Sequence, residues 1–440
     1  MNTIRKLVCA ITVTVAGAAF AAEPPSKPGV DAPELARLGA QPVGVRTLEV
    51  IAHNQPDVLA FDATRRAAPR TDRKLTVDLW YPAEARPGAT PETYSGALDA
   101  EAPGTKSSFS IPGLAVRDAR PAGGHYPLVI VSHGRSNVTA ALTWLTENLA
   151  SKGYVVAAIR HEDPPYTDGS KFVALGLRRP LDIAVVTASL QASLGREGLI
   201  DPARTALVGY SLGGYGVLTA GGATLDPDGP LVVHTPEGAM IRPFARGGAE
   251  REALRAPNIV AIVALAPAGG GVFAAWGSNG LADIHAPLLL IAGDHDMTVD
   301  YATNARAFLE AARGTERYLL TYHFGGHAIG LSPSPAGMRD NLWDLDWFED
   351  PVWRKDRIVA INLHFITAFL DRYVRKDASR APYLDVLVEE SSAGVWPAAA
   401  QGGWADYSPQ ANGVTIWKGF QRRQATGLEL LHRLADGAAR

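Results

Sequence analysis

The run Thr205-Ala-Leu-Val-Gly-Tyr-Ser-Leu-Gly-Gly-Tyr-Gly216 decides how the rest of the chain is read. Ala206–Val208 is short and apolar, the signature of a buried strand. The chain then reverses through Gly209-Tyr-Ser-Leu-Gly213 and continues as small and apolar residues suited to a helix. This is Gly-x-Ser-x-Gly in a strand–turn–helix setting, which lifts a serine hydroxyl clear of its strand. The glycines answer crowding: where strand and helix pack this closely, the positions two before and two after the serine have no room for a side chain. The helix that opens after Ser211 turns its unpaired N–H groups and positive end toward an oxygen that becomes negative during acyl transfer. Five residues match by chance often enough that the reading depends on the rest of the chain.

A serine hydroxyl at neutral pH needs a base, a group to orient that base, and donors for the oxyanion. Each is found at the end of an apolar run. Pro287-Leu-Leu-Leu-Ile-Ala-Gly293 leads to Asp294-His295-Asp296, where two carboxylates compete. Asp296 is preferred because the chain must turn after Gly293 before a carboxylate can face a histidine, and Asp294 is the alternative. Leu319-Leu-Thr-Tyr-His-Phe-Gly-Gly-His327 supplies the base, with His327 in the Gly-rich loop and His323 read as structural. Leu128-Val-Ile-Val131 leads to Ser132-His-Gly-Arg135. The backbone amides of Arg135 and Leu212 are the expected oxyanion donors, while His133 is expected to brace the loop. The Arg135 side chain is read as solvent-facing, with contact to an anionic substrate as the alternative. Chain order is then Ser211, Asp296, His327.

With these pieces in place the sequence resembles the α/β-hydrolase superfamily, most closely its branch of dienelactone hydrolases and platelet-activating-factor acetylhydrolase-like serine esterases. The resemblance rests on Leu79-Trp-Tyr-Pro82, Ser132-His-Gly134, Arg160-His-Glu-Asp163, Arg179-Pro-Leu-Asp182, Gly209-Tyr-Ser-Leu-Gly213 and Gly325-Gly-His327, and spans about Val43 to Tyr373. It implies a mostly parallel eight-stranded sheet, ester hydrolysis through an acyl-enzyme, and no metal or organic cofactor. A serine nucleophile departs from the cysteine of true dienelactone hydrolases. The stretch after the nucleophile helix and the tail beyond Ala381 lie outside the shared pattern.

The remainder of the chain agrees in kind. Its 440 residues, 47% hydrophobic and 20% charged, suffice for one large domain. Net charge is −3, and no basic stripe suggests nucleic acid. Met1–Ala21 reads as a secretory signal: Arg5 and Lys6, an apolar stretch from Leu7 to Phe20, then Ala19-Phe-Ala21. The single cysteine, Cys9, lies inside it, so no disulfide is expected after cleavage. A periplasmic or extracellular bacterial protein fits, with no stable insertion in a membrane. Residues 22–42 read as a flexible leader, 43–380 as an α/β domain with its sheet covered on both faces, and 381–440 as a C-terminal extension packed on that domain. Strands are expected at Val43–Ile51, Lys74–Pro82, Leu128–Val131, Tyr154–Ile159, Ala206–Val208, Asn258–Ala264, Pro287–Ile291 and Arg317–Tyr322. Helices are expected from Ser136 or Asn137 to Ser151, at Leu181–Leu194, Asp300–Arg313, Arg357–Tyr373 and Leu428–Leu434. Residues 83–124 read as loops. Residues 223–256 form an insertion, read either as a small lid or as a surface loop.

The substrate is expected to be a small-molecule ester. Tyr210, Trp276, Trp343 and Trp347, with Phe348 beside them, are candidate walls of an acyl or aryl pocket. The acidic run Asn341–Pro351 would disfavour anionic substrates, unless it is only a solvated face. Two other readings stay open: an amidase or peptidase using the same triad, and a catalytically silent binding protein. Nothing in the sequence speaks to oligomeric state.

Overall fold

The computed structural model describes residues 33–395, 413–420 and 425–437. Its twelve strands are β1 (Val43–Pro56), β2 (Arg70–Pro82), β3 (Thr93–Asp99), β4 (Lys106–Pro112), β5 (Val116–Arg117), β6 (Tyr126–Ser132), β7 (Val155–Arg160), β8 (Ile200–Tyr210), β9 (Ile259–Leu265), β10 (Leu288–Gly293), β11 (Arg317–Tyr322) and β12 (Leu428–Arg433). Five helices matter to the argument: α1 (Thr143–Ser151), α2 (Phe172–Arg196), α3 (Leu212–Ala220), α4 (Leu342–Asp346) and α5 (Lys355–Tyr373).

Among the described residues ten strands form the central sheet, in the order β12-β11-β10-β9-β8-β6-β7-β2-β1-β5. The six strands from β6 to β11 run parallel to their neighbours. β2 is antiparallel to β7, β1 to β2, and β12 to β11. Such an interior follows from the continuous apolar runs, because a strand with helices on both sides needs hydrophobic residues at every position. Alternate residues then serve opposite faces. Leu128, Ile130 and Leu207 enter the core under α2 and α3, whereas Val129, Val131, Ala206 and Val208 enter the core under α1 and α5.

The α/β class and the helices on both faces are as expected, but the sheet has ten strands where eight were expected. One addition is the two-residue β5. The other is β12, expected as a helix. Leu428-Glu-Leu-Leu-His-Arg433 is too short for a helical period to show. The exposed edge of β11 captures it in register, Tyr322 opposite Leu428 through Arg317 opposite Arg433. A β3–β4 hairpin also stands in the stretch read as loops. Its small and polar residues hid it: Gly96 pairs with Phe109, and a β-carbon at 96 would lie 2.5 Å from that ring. α1 begins at Thr143, later than expected, because the chain after β6 first makes a loop with Ser136 at φ 52°.

Residues 223–256 hold short helical turns whose Leu231, Val232, Met240, Ile241, Phe244 and Leu254 are buried in the core on the α2–α3 side. From the C-terminal extension, Trp417 and Phe420 are buried against Phe365 of α5. Trp396, Trp404 and the whole of Met1–Ala21 lie outside the described residues. Among the described residues no helix is long and apolar enough to cross a membrane.

Candidate active site

The C-terminal ends of β6, β8, β10 and β11 face one rim. The chain leaves β6 toward β7 on one side and β8 follows on the other, so a crevice opens where the strand order reverses. Ser211 sits there, between β8 and α3, at φ 55° and ψ −118°. That conformation disfavours any residue with a β-carbon and costs about 1–3 kcal/mol. Packing enforces it. A β-carbon at Gly209 would lie 2.2 Å from the Gly213 carbonyl, and one at Gly213 would lie 2.0 Å from the Ser132 carbonyl. The Ser211 amide donates to Leu265 of β9 at 2.9 Å, which ties the turn to the neighbouring strand.

His327 Nε2 lies 3.0 Å from Ser211 Oγ, and His327 Nδ1 lies 2.7 Å from Asp296 Oδ2. The other carboxylate oxygen of Asp296 accepts from the amides of Thr298 (2.9 Å) and Val299 (3.0 Å). Burial works to raise the Asp296 carboxyl. The hydrogen bond and charge of His327, with the two amides, outweigh it and hold the group below the ordinary carboxylate value. Asp296 is thus an anion 4% exposed, aimed at one ring nitrogen. With that nitrogen carrying the proton, the other can accept from Ser211.

Asp294 faces elsewhere. It binds His295, His323 and the Phe324 amide. His323 reaches Glu390 with its second nitrogen, at 3.1 Å. Burial opposes the charged imidazole of His323, but the two carboxylates prevail and raise its pKa. With both nitrogens taken, this ring has none to offer Ser211.

The turn that carries His327 is held unusually firmly. Its four carbonyls in succession each accept from one side chain. Tyr210 Oη donates to residue 327 (3.1 Å), Lys355 Nζ to 328, Asn362 Nδ2 to 329 (2.8 Å) and Trp144 Nε1 to 330 (3.2 Å). Those donors come from the end of β8, from α5 and from α1.

The loop after β6 packs against Ser211: a β-carbon at Gly134 would meet Ser211 Cβ at 3.3 Å. Among the described residues neither the Arg135 nor the Leu212 amide donates to a protein acceptor. A buried polar network lies beneath this loop. Arg179 donates to the His133 carbonyl (2.9 Å) and to Asp163 (2.5 Å), and Asp163 accepts from the Ser136 amide (2.9 Å). His161 bridges Ser132 Oγ (2.9 Å) and Asp182 (3.0 Å), and its amide donates to His133 Nε2. Burial above all, helped by the Arg179 charge, lowers His133 to about 4, so it is a neutral acceptor within the brace. The Arg-His-Glu-Asp and Arg-Pro-Leu-Asp stretches therefore meet as the support of one loop.

Over the site lies a pocket of about 250 Å³. Its lining includes Gly134, Arg135, Asn137, Tyr166, Tyr210, Ser211, Thr298, His327, Trp343, Asp346 and Trp347. Of the expected walls, Tyr210, Trp343 and Trp347 are present. Trp343 and Trp347 both donate to the Asp99 carbonyl, at 2.8 and 3.4 Å, which fixes their rings. Trp276 is not a wall. It is 3% exposed, stacks on Tyr215 and donates to Thr219, because the chain beyond β9 dives beneath α3 instead of crossing the rim. Phe348 is likewise buried, edge-on to Phe109. The Arg135 guanidinium is engaged by the carbonyls of Tyr166 (2.9 Å) and Asp168 (2.6 Å) and lies over the Tyr166 and Phe172 rings. It anchors the loop that bears Tyr166 and does not reach outward. No residue of 223–256 lines this pocket. Tyr166, Asn137, Thr298 and Asp346 were missed by the sequence reading. Asp346 stood in the acidic run Asn341–Pro351 and Asn137 was read only as a possible helix start, whereas nothing local marks Tyr166.

One His–carboxylate group elsewhere, Glu316, Asp385 and His432, has the ligand types of a metal site. Arg372 pairs with Glu316 (3.6 Å) and Asp385 (2.8 Å) from within it. It is an ion-pair network that ties β12 to α5.

Comparison with known proteins agrees with this architecture. Residues 113–226, which hold β6 and the loop after it, α2 and the turn at Ser211, match the family model described as PET hydrolase-like. No curated protein matches the chain. Among solved structures it is similar to a ferulic acid esterase from Streptomyces cinnamoneus, with a TM-score of 0.50 and 21% identity over 76% of this chain and 91% of that one. The sheet topology and the likeness to that esterase structure show an α/β-hydrolase fold, and the segment of the chain that carries the turn at Ser211 is similar to the PET hydrolase-like family.

Proposed function

We propose that this chain is a carboxylic-ester hydrolase of the serine-esterase branch and acts through an acyl-enzyme made on Ser211. His327 Nε2 takes the hydroxyl proton as Ser211 Oγ attacks the ester carbonyl. The Arg135 and Leu212 amides receive the negative oxygen, and Asp296 holds the imidazolium in place. When the tetrahedral species collapses, the carbon–oxygen bond to the alcohol breaks and His327 returns the proton to that oxygen. Water, deprotonated by the same histidine, then attacks the acyl-enzyme and frees the acid and Ser211. The observation that carries this reading is the unbroken pair of contacts from Ser211 Oγ to His327 (3.0 Å) and from His327 to Asp296 (2.7 Å). The substrate is a small-molecule ester whose acyl part rests against Trp343 and Trp347. We also propose export, on the strength of Met1–Ala21 alone.

The test is hydrolysis of short-chain chromogenic esters by the wild-type protein and by Ser211→Ala, with a serine-directed organophosphonate followed by mass spectrometry. Turnover is expected in the wild type and absent from the variant, with the single adduct on Ser211. Active Ser211→Ala protein, or an unlabelled Ser211, overturns the reading. Cleavage of peptide anilides in preference to esters would favour an amidase.

A further inference from the structure

Beside the Ser211 pocket lies a second, larger cavity of about 970 Å³, walled by the β3–β4 hairpin, Asp78 of β2, the end of β7, and the loop after β6. The proposed function makes no use of it. Three features define what it would hold. Asn137 lines both cavities and is 5% exposed, so its side chain borders both spaces. Its Oδ1 is fixed by the Val138 amide at 2.8 Å, while among the described residues Nδ2 has no partner. A buried polar side chain is thus oriented by one atom and left with a donor at that border.

The charges in the cavity are already matched. Asp78 receives Arg160 through two nitrogens, each at 2.7 Å, as well as Thr47 and Thr139. Arg117 binds Glu92 at 2.9 Å and Thr47 at 3.3 Å. Each arginine retains N–H groups beyond these bonds and Glu92 retains lone pairs, whereas the acceptor sites of Asp78 are filled. The walls therefore present many fixed donors and acceptors but no uncompensated charge. An ion would gain little here, and an alkyl chain would leave these groups unpaired at a cost. A neutral molecule with several hydroxyl groups satisfies them.

We propose that this cavity binds the alcohol component of the ester, and that this alcohol is a neutral polyol such as a sugar, with the Asn137 amide donating to it where it joins the scissile oxygen. The proposal rests on the ester-hydrolase reading of Ser211.

The experiment compares two benzoates with the same acyl group, ethyl benzoate and the benzoate of the primary hydroxyl of methyl glucoside. The glucoside ester is expected to show kcat/KM above that of the ethyl ester by about tenfold or more, the worth of one or two well-made hydrogen bonds. Ser95→Trp, at an exposed position of β3 that lines the cavity, is expected to bring that ratio close to one. Free methyl glucoside is expected to inhibit wild-type hydrolysis of ethyl benzoate competitively, a result that holds even if Ser95→Trp does not fold. Equal kcat/KM for the two esters, an unchanged ratio in Ser95→Trp, or no inhibition by methyl glucoside overturns the cavity assignment and leaves ester hydrolysis standing. Failure to hydrolyse either ester, with Ser211 unlabelled by the organophosphonate, overturns both.

Discussion

Asp294 and Asp296 stand two residues apart on one loop, yet their surroundings assign them different work. Asp296 is nearly inaccessible and gives one oxygen to two amides and the other to His327. Asp294 ties His323 and Phe324 to the strand end. Replacing Asp296 with Asn keeps the shape but removes the charge that selects the histidine tautomer. A loss of about 10⁴-fold in kcat is expected, as for the same change in a well-studied serine protease triad. Asp294→Asn is expected to lower thermal stability with far less effect on kcat. Side-by-side ester kinetics and melting curves decide the matter, and the reverse pattern sinks the assignment. Ser211 and His327 were legible because glycine patterns record where backbones crowd or turn. The choice between the two aspartates rested only on how far the chain must travel after Gly293. Trp276 was misplaced because an aromatic residue in a loop carries no local sign of whether that loop turns outward or into the core.

At the scale of elements, the loop after β6 depends on α2 from below. Arg179 is 1% exposed and reaches both the His133 carbonyl and Asp163. Arg179→Met is expected to leave the Asp163 charge buried and unpaired, at about 3–5 kcal/mol of stability. It is also expected to cut kcat/KM about 10²-fold through displacement of the Arg135 amide. Denaturant curves measure the first effect, and ester kinetics at a temperature where circular dichroism shows a folded protein measure the second. Full activity in such a folded variant would mean that the brace does not position the loop. β12 offers a second test. Leu430 is wholly buried in the core beneath α5, so Leu430→Ala is expected to cost about 2–5 kcal/mol. A cost near zero would show that β12 is not part of the cooperative core. The central strands could be read from their unbroken apolar runs, whereas six residues at an edge take their conformation from the partner strand, and β12 could not.

Over the whole molecule, acid stability turns on the network that ties β12 and α5 to the sheet. The hydrogen bond from His432 lowers Glu316 to about 2, against its burial and with help from Tyr373, Tyr318 and Arg372. A carboxylate depressed in the folded state adds stability that is fully present above its unfolded value and is lost as pH falls toward the folded one. That window runs from the ordinary 4.5 down to about 2. Urea midpoints of the wild type are expected to drop across it, and those of Glu316→Gln to drop less. Parallel slopes would remove Glu316 from the account. The layered architecture was readable because its alternation extends over hundreds of residues. Strand number was not, since it is settled at the sheet's edges.

The four side chains that pin residues 327–330 reach in from a strand end and from two helices of one layer. A loosening of that layer anywhere along α1 or α5 is felt at the imidazole before the sheet itself gives way. The proposed ester turnover thus doubles as a sentinel for the docking of those helices. On slow heating it will fade ahead of the main unfolding transition, and a binding partner or additive that clamps the layer will prolong working life without approaching the reaction centre.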